Sequence, residues 1–221
     1  SPTVKRGKEL FYDAADDRLA LDGYLSCGSC HNEGADDGRV WDLTGMGEGL
    51  RNTVSLLGKG QSNGLIHWSG NFDEVQDFEI QIRSLAGGTG LMTDADFAQT
   101  EGPLGAPKAG ISADLDAMAA YVESLVVVEA SPVRNVALSA LAQQGQVLFG
   151  DRGCASCHAG ASLTDSPSGA RHDIGTIKAS SGSRLSGTLD GLDVPSLYML
   201  WGSAPYLHDG SADTIGSAIT A

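Results

Sequence analysis

The chain has 221 residues, 41% of them hydrophobic, and carries 28 acidic against 14 basic side chains for a formal net charge of −14. That length suggests one or two domains, and that charge argues against nucleic acid or anionic lipid as a partner, since their phosphates would be repelled. No apolar run approaches the roughly 20 residues needed to span a bilayer, and Ser1 is followed by neither a basic start nor an apolar signal core, so the chain reads as a mature or excised segment.

In chain order, Arg6-Gly7-Lys8-Glu9-Leu10-Phe11 predicts a first helix over Gly7 to Phe11, followed by Cys27-Gly28-Ser29-Cys30-His31. Glycine-rich stretches come next, Gly45-Met46-Gly47-Glu48-Gly49 and Gly87-Gly88-Thr89-Gly90. With 30 glycines and 6% aromatics in all, they predict a loop-rich molecule of short helices. Such loops serve either as ordinary surface or as the lining of a bound group. Ser112 to Val127 predicts a stronger helix: Ser112 can cap its start, and Leu115, Met118, Ala119, Val122 and Leu125 fall on one face. Ser131-Pro132 marks a break, and we place a boundary there, giving units 1–130 and 131–221. The second unit repeats the first. A helix over Ala137 to Phe149 contains Gln144-Gly145-Gln146-Val147-Leu148-Phe149, and Cys154-Ala155-Ser156-Cys157-His158 follows. It has no counterpart of the Ser112 helix within the chain, so a further chain or domain is expected to complete it.

The two five-residue stretches use all four cysteines. Both read C-x-x-C-H, the pattern for covalent c-type haem attachment, in which the thiols add to the vinyl groups and the adjacent histidine supplies an axial nitrogen to iron. A four-thiolate zinc site would leave both histidines unexplained. A redox C-x-x-C is expected in a βαβ context, which the pattern here does not show. Covalent haem attachment takes place outside the bacterial cytoplasm, so the expected compartment is the periplasm or cell surface.

Further motifs carry a family resemblance. Val194-Pro195-Ser196-Leu197, Ala204-Pro205-Tyr206-Leu207-His208-Asp209-Gly210-Ser211 and His172-Asp173-Ile174-Gly175 lie in the second half. Gly49-Leu50-Arg51-Asn52-Thr53 and His67-Trp68-Ser69-Gly70 lie in the first. Together they resemble the bacterial dihaem cytochrome c peroxidases and their MauG-like relatives, whose usual first-half forms are Arg-Asn-x-Pro-Thr and Phe-Trp-Asp-Gly. The resemblance implies a mainly α fold of two cytochrome c-like helical domains in pseudo-twofold relation, here with the second lacking its closing helix. It implies two covalent haems with His31 and His158 as proximal ligands, and Trp68 between them. It also implies a calcium ion at the interface, with Asn52 and the backbone carbonyls at Ser203 and Pro205 as ligands.

The distal residues separate the readings. Family peroxidases often place a histidine in the loop before the Arg-Asn motif; here Met46 and Glu48 occupy it. Met46 either ligates iron or packs in the loop. The family's acid–base glutamate would fall within Gly88 to Met92, which has no carboxylate. Glu79 and then Glu74 are the nearest substitutes, unless both are solvated faces of an acidic segment. For the second haem, Met199, His208 and His172 are the internal candidates, and a ligand beyond Ala221 is expected. His67 reads as a loop histidine, a propionate contact or a distal residue. The resulting expectation is a dihaem electron-transfer protein that draws electrons from a small redox partner and reduces hydrogen peroxide at the first haem. The alternatives are a non-enzymatic electron-transfer module of a larger assembly and a MauG-like oxidase.

Overall fold

The computed structural model describes residues 1–58, 64–100, 102–127, 131, 133 and 137–221. The expected boundary at Ser131-Pro132 falls where residues 128–130, 132 and 134–136 lie outside the described ones. The molecule is mainly helical, with long loops and, among the described residues, two small two-stranded sheets.

Helix α1 spans Pro2–Tyr12, longer than the Gly7 to Phe11 core expected. The Ser1 hydroxyl accepts the Val4 amide at 3.3 Å, and proline at the first turn has no amide hydrogen to satisfy. The single turn α2 (Cys27–Cys30) carries the first cysteine pair. Strands β1 (Val40–Asp42) and β2 (Leu50–Asn52) pair antiparallel with Val40 opposite Asn52. Helices α3 (Phe78–Ser84) and α4 (Asp94–Thr100) lead to α5 (Ala113–Glu123).

The expected cap on α5 is present: the Ser112 hydroxyl accepts the Leu115 amide. The helix ends at Glu123 rather than Val127. The Ser124 hydroxyl donates to the Tyr121 carbonyl at 2.6 Å, a local bond that competes with the helical ladder. Leu115, Met118 and Tyr121 pack with Leu10 and Phe11 of α1, and with Leu19, Ile82 and Met92, in the first-half core. Each such side chain contributes about 1.5–3 kcal/mol when withdrawn from water. The crossing of α1 on α5 is close enough that a β-carbon on Gly7 would stand 1.8 Å from the Ala117 carbonyl oxygen. A buried ion pair, Lys108 Nζ to Asp77 Oδ1 at 2.6 Å, ties the loop before α5 to the turn before α3.

In the second half α6 (Ala140–Asp151) is capped by Ser139 and buries no residue. Strands β3 (Ser183–Arg184) and β4 (Gly187–Thr188) form a short hairpin, and α7 (Ile215–Ile219) is a single capped turn. Leu189, Leu192, Val194 and Ala212 are the buried apolar residues of this half, alongside buried Thr164, Ser166, Ser181, His208 and Asp209.

Candidate functional site

Both cysteine pairs sit on one turn of helix, which puts the two thiols of each pair on the same side. Cys27 and Cys30 bound α2, with His31 as its C-cap. Cys154 opens a 3-10 turn that Cys157 caps, with His158 next. The opening helices meet the histidines in matching fashion. The Phe11 and His31 rings stand 6.5 Å apart at 48°, and those of Phe149 and His158 6.5 Å apart at 45°.

The donor set fits haem. All four thiols are free, and no three of them converge as a zinc site would require. Burial pushes the Cys27 thiol up to about 11 and raises Cys30, the opposite of the depressed thiols of redox C-x-x-C pairs. His158 Nδ1 lies 3.2 Å from the Leu163 carbonyl oxygen. A proton donated from Nδ1 to that carbonyl leaves Nε2 with the lone pair a metal requires. The side chains of Cys157, Asp165 and His172 lie close together, with His172 Nε2 2.7 Å from Asp165 Oδ2. Asp165 had no signal in the sequence, because its partner comes seven residues later through a bridge between His172 and Leu192.

Trp68 makes contacts in both halves. Its Nε1–H donates to the Asn52 carbonyl at 2.8 Å, and its ring lies 6.4 Å from that of His208. Asn52 in turn donates its amide N–H to the His208 carbonyl at 2.7 Å and its side-chain N–H to the Pro205 carbonyl at 2.5 Å. The Trp68 carbonyl accepts the Asp193 amide at 2.8 Å. Arg184 clamps the same loop, donating to the carbonyls of Ser69 and Gly70. Of the three expected calcium positions, Asn52 and Pro205 therefore meet directly. The Ser203 hydroxyl bonds the Met199 carbonyl and the Asp36 side chain, and its backbone carbonyl is the atom expected as a ligand.

The Met46 loop packs backbone against backbone on the second half. Gly49 (φ +72°) and Gly182 (φ +73°) face each other, and a β-carbon on Gly49 would stand 2.3 Å from the Ser180 carbonyl oxygen. Behind this contact Glu48 is held by three groups: Arg51 at 3.0 Å, the Ser69 hydroxyl at 2.9 Å and Asn71 Nδ2 at 2.6 Å. Because Asn71 gives its nitrogen to Glu48, its oxygen accepts from His67 Nδ1 at 2.7 Å. Burial holds His67 below the ordinary imidazole range, and its ring packs on Phe72 and Phe78. Met46, Glu48, Asn71, Phe72 and Gln81 line a cleft of about 390 Å³, together with Ser183, Leu185 and Ser186 of the second half.

Glu79 stands apart from that cleft. It is fully buried, and its two oxygens take the Arg83 guanidinium and the amides of Leu91 and Met92. It is therefore not the solvated side chain that the sequence left open. Glu74 accepts the amides of Lys108 and Ala109. His208 is buried with Nε2 2.6 Å from the Ser181 hydroxyl, and burial lowers its pKa. Met199 is half-buried in a left-handed conformation, φ +59°.

A family model described as di-haem cytochrome c peroxidase matches residues 1–125. Two characterised relatives align with nearly the whole chain. Hydrazine synthase subunit gamma of Kuenenia stuttgartiensis is 28% identical over 265 residues, 99% of this chain and 69% of its own length. The methylamine utilization protein MauG of Methylorubrum extorquens is 28% identical over 250 residues, 98% of this chain and 67% of its own. Among solved structures, K. stuttgartiensis hydrazine synthase superposes with a TM-score of 0.62 at 25% identity, covering 97% of this chain and 76% of that one. A MauG-like protein associated with microbial copper homeostasis superposes at 0.65 and 23% identity, covering 100% and 73%. The chain is a member of the di-haem cytochrome c peroxidase family, and a haem-based redox function follows from that membership.

Proposed function

We propose that this chain is a periplasmic or cell-surface dihaem c-type cytochrome that passes electrons between its two halves through Trp68 and reduces hydrogen peroxide on the first-half side. The observation that carries the reading is the placement of Trp68: one indole hydrogen-bonded to Asn52 of the first half and packed beside His208 of the second. In this reading Cys27, Cys30 and His31 hold one haem and Cys154, Cys157 and His158 the other. Each haem supplies an iron centre that exchanges single electrons.

The chain's own residues do the rest. Glu48 is the carboxylate on the cleft, positioned by Arg51, Ser69 and Asn71. Proton delivery to a departing oxygen needs such a group within reach, so Glu48, which lines the cleft where Glu79 does not, takes the acid–base part. Leu43, Phe72, Ile80 and Leu185 supply the apolar walls of the cleft. Calcium belongs to this reading at Asn52 and Pro205, where turning the Asn52 amide over brings two oxygens together for a hard cation. The surface charge of −14 suits a cationic redox partner.

The commitment of Glu79 and the absence of a carboxylate between Gly88 and Met92 favour the second reading, an electron-transfer module with Met46 as a ligand. EPR and optical spectra of the ferric and half-reduced protein, before and after hydrogen peroxide, separate the two. A high-spin ferric signal with rapid reoxidation supports the peroxidase. Two low-spin six-coordinate haems inert to peroxide establish the module.

A further inference from the structure

His67 stands in a backbone conformation that its β-carbon disfavours. Its φ of +67° lies in the left-handed region, and such residues persist where their surroundings hold them, often at functional sites. Two backbone bonds hold this one: the Ile66 amide donates to the Phe72 carbonyl at 2.8 Å, and the Gly70 amide to the His67 carbonyl at 3.0 Å. The tight loop so formed brings His67 Nδ1 to 2.7 Å from Asn71 Oδ1. The imidazole also packs on Phe72 and Phe78, with ring centroids 4.5 and 5.0 Å away. Those contacts are apolar, and a phenyl ring would serve them as well. What imidazole adds is one N–H. The direction of each bond in this chain is set by its far end. Glu48 faces the Arg51 guanidinium at 3.0 Å, and an ionised carboxylate only accepts. Asn71 therefore turns its Nδ2 to Glu48 Oε1, at 2.6 Å, which leaves its oxygen to accept from His67.

We propose that His67 is a positioning residue for Glu48, acting through Asn71. Both Asn71 and Glu48 line the cleft. Held by Glu48 alone, the Asn71 side chain would be free to swing into that open space and take the carboxylate oxygen with it. Held at both ends, it can neither turn over nor swing, and Glu48 Oε1 has one place to stand. Proton transfer depends on that placement, since a shift of about 1 Å can cost about a hundredfold in rate. This inference rests on Glu48 as the acid–base group of the proposed peroxidase.

The test separates the donor from the ring. His67→Phe keeps a ring against Phe72 and Phe78 and removes the N–H. His67→Asn removes the ring but keeps an N–H at the depth of Nδ1, because both nitrogens are bonded to Cγ, and asparagine accepts the left-handed backbone. Hydrogen peroxide turnover is measured on the holo protein, and hydrogen exchange of the Asn71 side-chain amide is followed by NMR. In His67→Phe, kcat should fall at least fivefold with KM for peroxide little changed, and the Asn71 amide should exchange at least fivefold faster. His67→Asn should recover most of both losses. Packing as the whole role of His67 gives the reverse order, with phenylalanine tolerated and asparagine damaging, and that order overturns the proposal. So does an Asn71 amide as protected in His67→Phe as in the wild type. A wild-type protein inert to peroxide removes the peroxidase reading and with it the catalytic use of this contact, while the amide exchange still reads whether His67 holds Asn71.

Discussion

Trp68 donates its indole hydrogen to the main-chain carbonyl of Asn52 at 2.8 Å, and through that bond a side chain of the loop between β2 and α3 is tied to the residue holding both His208 and Pro205. The indole is thus fixed by a backbone group, which cannot rotate away, rather than by another side chain. Trp68→Phe keeps an aromatic ring but leaves the Asn52 carbonyl without its donor. We expect a loss of about 1–3 kcal/mol in unfolding free energy for the unsatisfied carbonyl. We also expect slower electron equilibration between the haems, read by flash photolysis of the half-reduced protein. Trp68→Leu should slow it further. Equilibration at the wild-type rate in the leucine variant would remove Trp68 from the path.

The two carboxylates are separated by turnover, since both are held in bonded networks. Glu48→Gln removes the charge that faces buried Arg51, so unfolding stability should fall and peroxide turnover of the folded protein should drop by at least tenfold. Glu79→Gln should cost stability without a selective loss of turnover. It removes the charge that faces half-buried Arg83 and two amides, and breaking such a network costs about 3–5 kcal/mol. Denaturant unfolding and peroxide assays on the same samples check both. A selective loss of turnover in Glu79→Gln with unchanged stability would reverse the assignment.

This pair also shows what a linear reading can and cannot reach. The C-x-x-C-H turns, the Ser112 cap and the Gly-x-x-Leu-Phe repeat are set by neighbours within a few residues, and their consequences were visible in order along the chain. The environment of Glu79 depends on amides 12 and 13 residues away, and that of Glu48 on side chains 21 and 23 residues away. Neither separation has a helical or strand period, so nothing in the local pattern distinguishes a structural carboxylate from one on a cleft. Gly49 and Gly182 illustrate the same limit. Each looks like loop flexibility, and only their meeting across the halves shows that the backbone there has no room for a side chain.

The buried pair Lys108–Asp77 gives a prediction independent of the haems. Both side chains are essentially without solvent, and Lys108 Nζ reaches Asp77 Oδ1 at 2.6 Å. Lys108→Met alone leaves a buried carboxylate and should cost about 3–5 kcal/mol, while the double variant Lys108→Met/Asp77→Leu should recover most of it. Chemical unfolding of the three proteins forms the cycle. Additive losses in the double variant would mean that the two groups are not coupled.

Acid should loosen the α1–α5 crossing. Hydrogen bonds from Arg6 and Arg18 hold the Asp114 carboxyl below its ordinary value, and Arg18 does the same to Asp16. A carboxyl depressed in the folded state contributes stability that is complete above its unfolded pKa of about 4 and is lost as pH falls through the lower folded value. Unfolding midpoints of the wild type should therefore drop below about pH 4 more steeply than those of Asp114→Asn. Parallel curves for the two proteins would show that the Arg6–Asp114 contact is too solvent-screened to matter.

The two repeat glycines should respond to the same substitution with opposite signs. At Gly7 a β-carbon meets the Ala117 carbonyl oxygen at 1.8 Å and Tyr121 Cβ at 2.9 Å, both on a rigid helix. Gly7→Ala must push α1 off α5, and overpacking of this kind costs about 1–3 kcal/mol or more. Because Leu10 and Phe11 ride on the same helix, Phe11's contact with His31 moves too, and the absorption of the first haem should shift. At Gly145 the new methyl meets nothing, and replacing a mid-helix glycine by alanine should stabilise α6 by about 0.5–1 kcal/mol. Thermal unfolding of Gly7→Ala and Gly145→Ala reads the sign directly. A destabilising Gly145→Ala would mean that α6 is crossed as closely as α1.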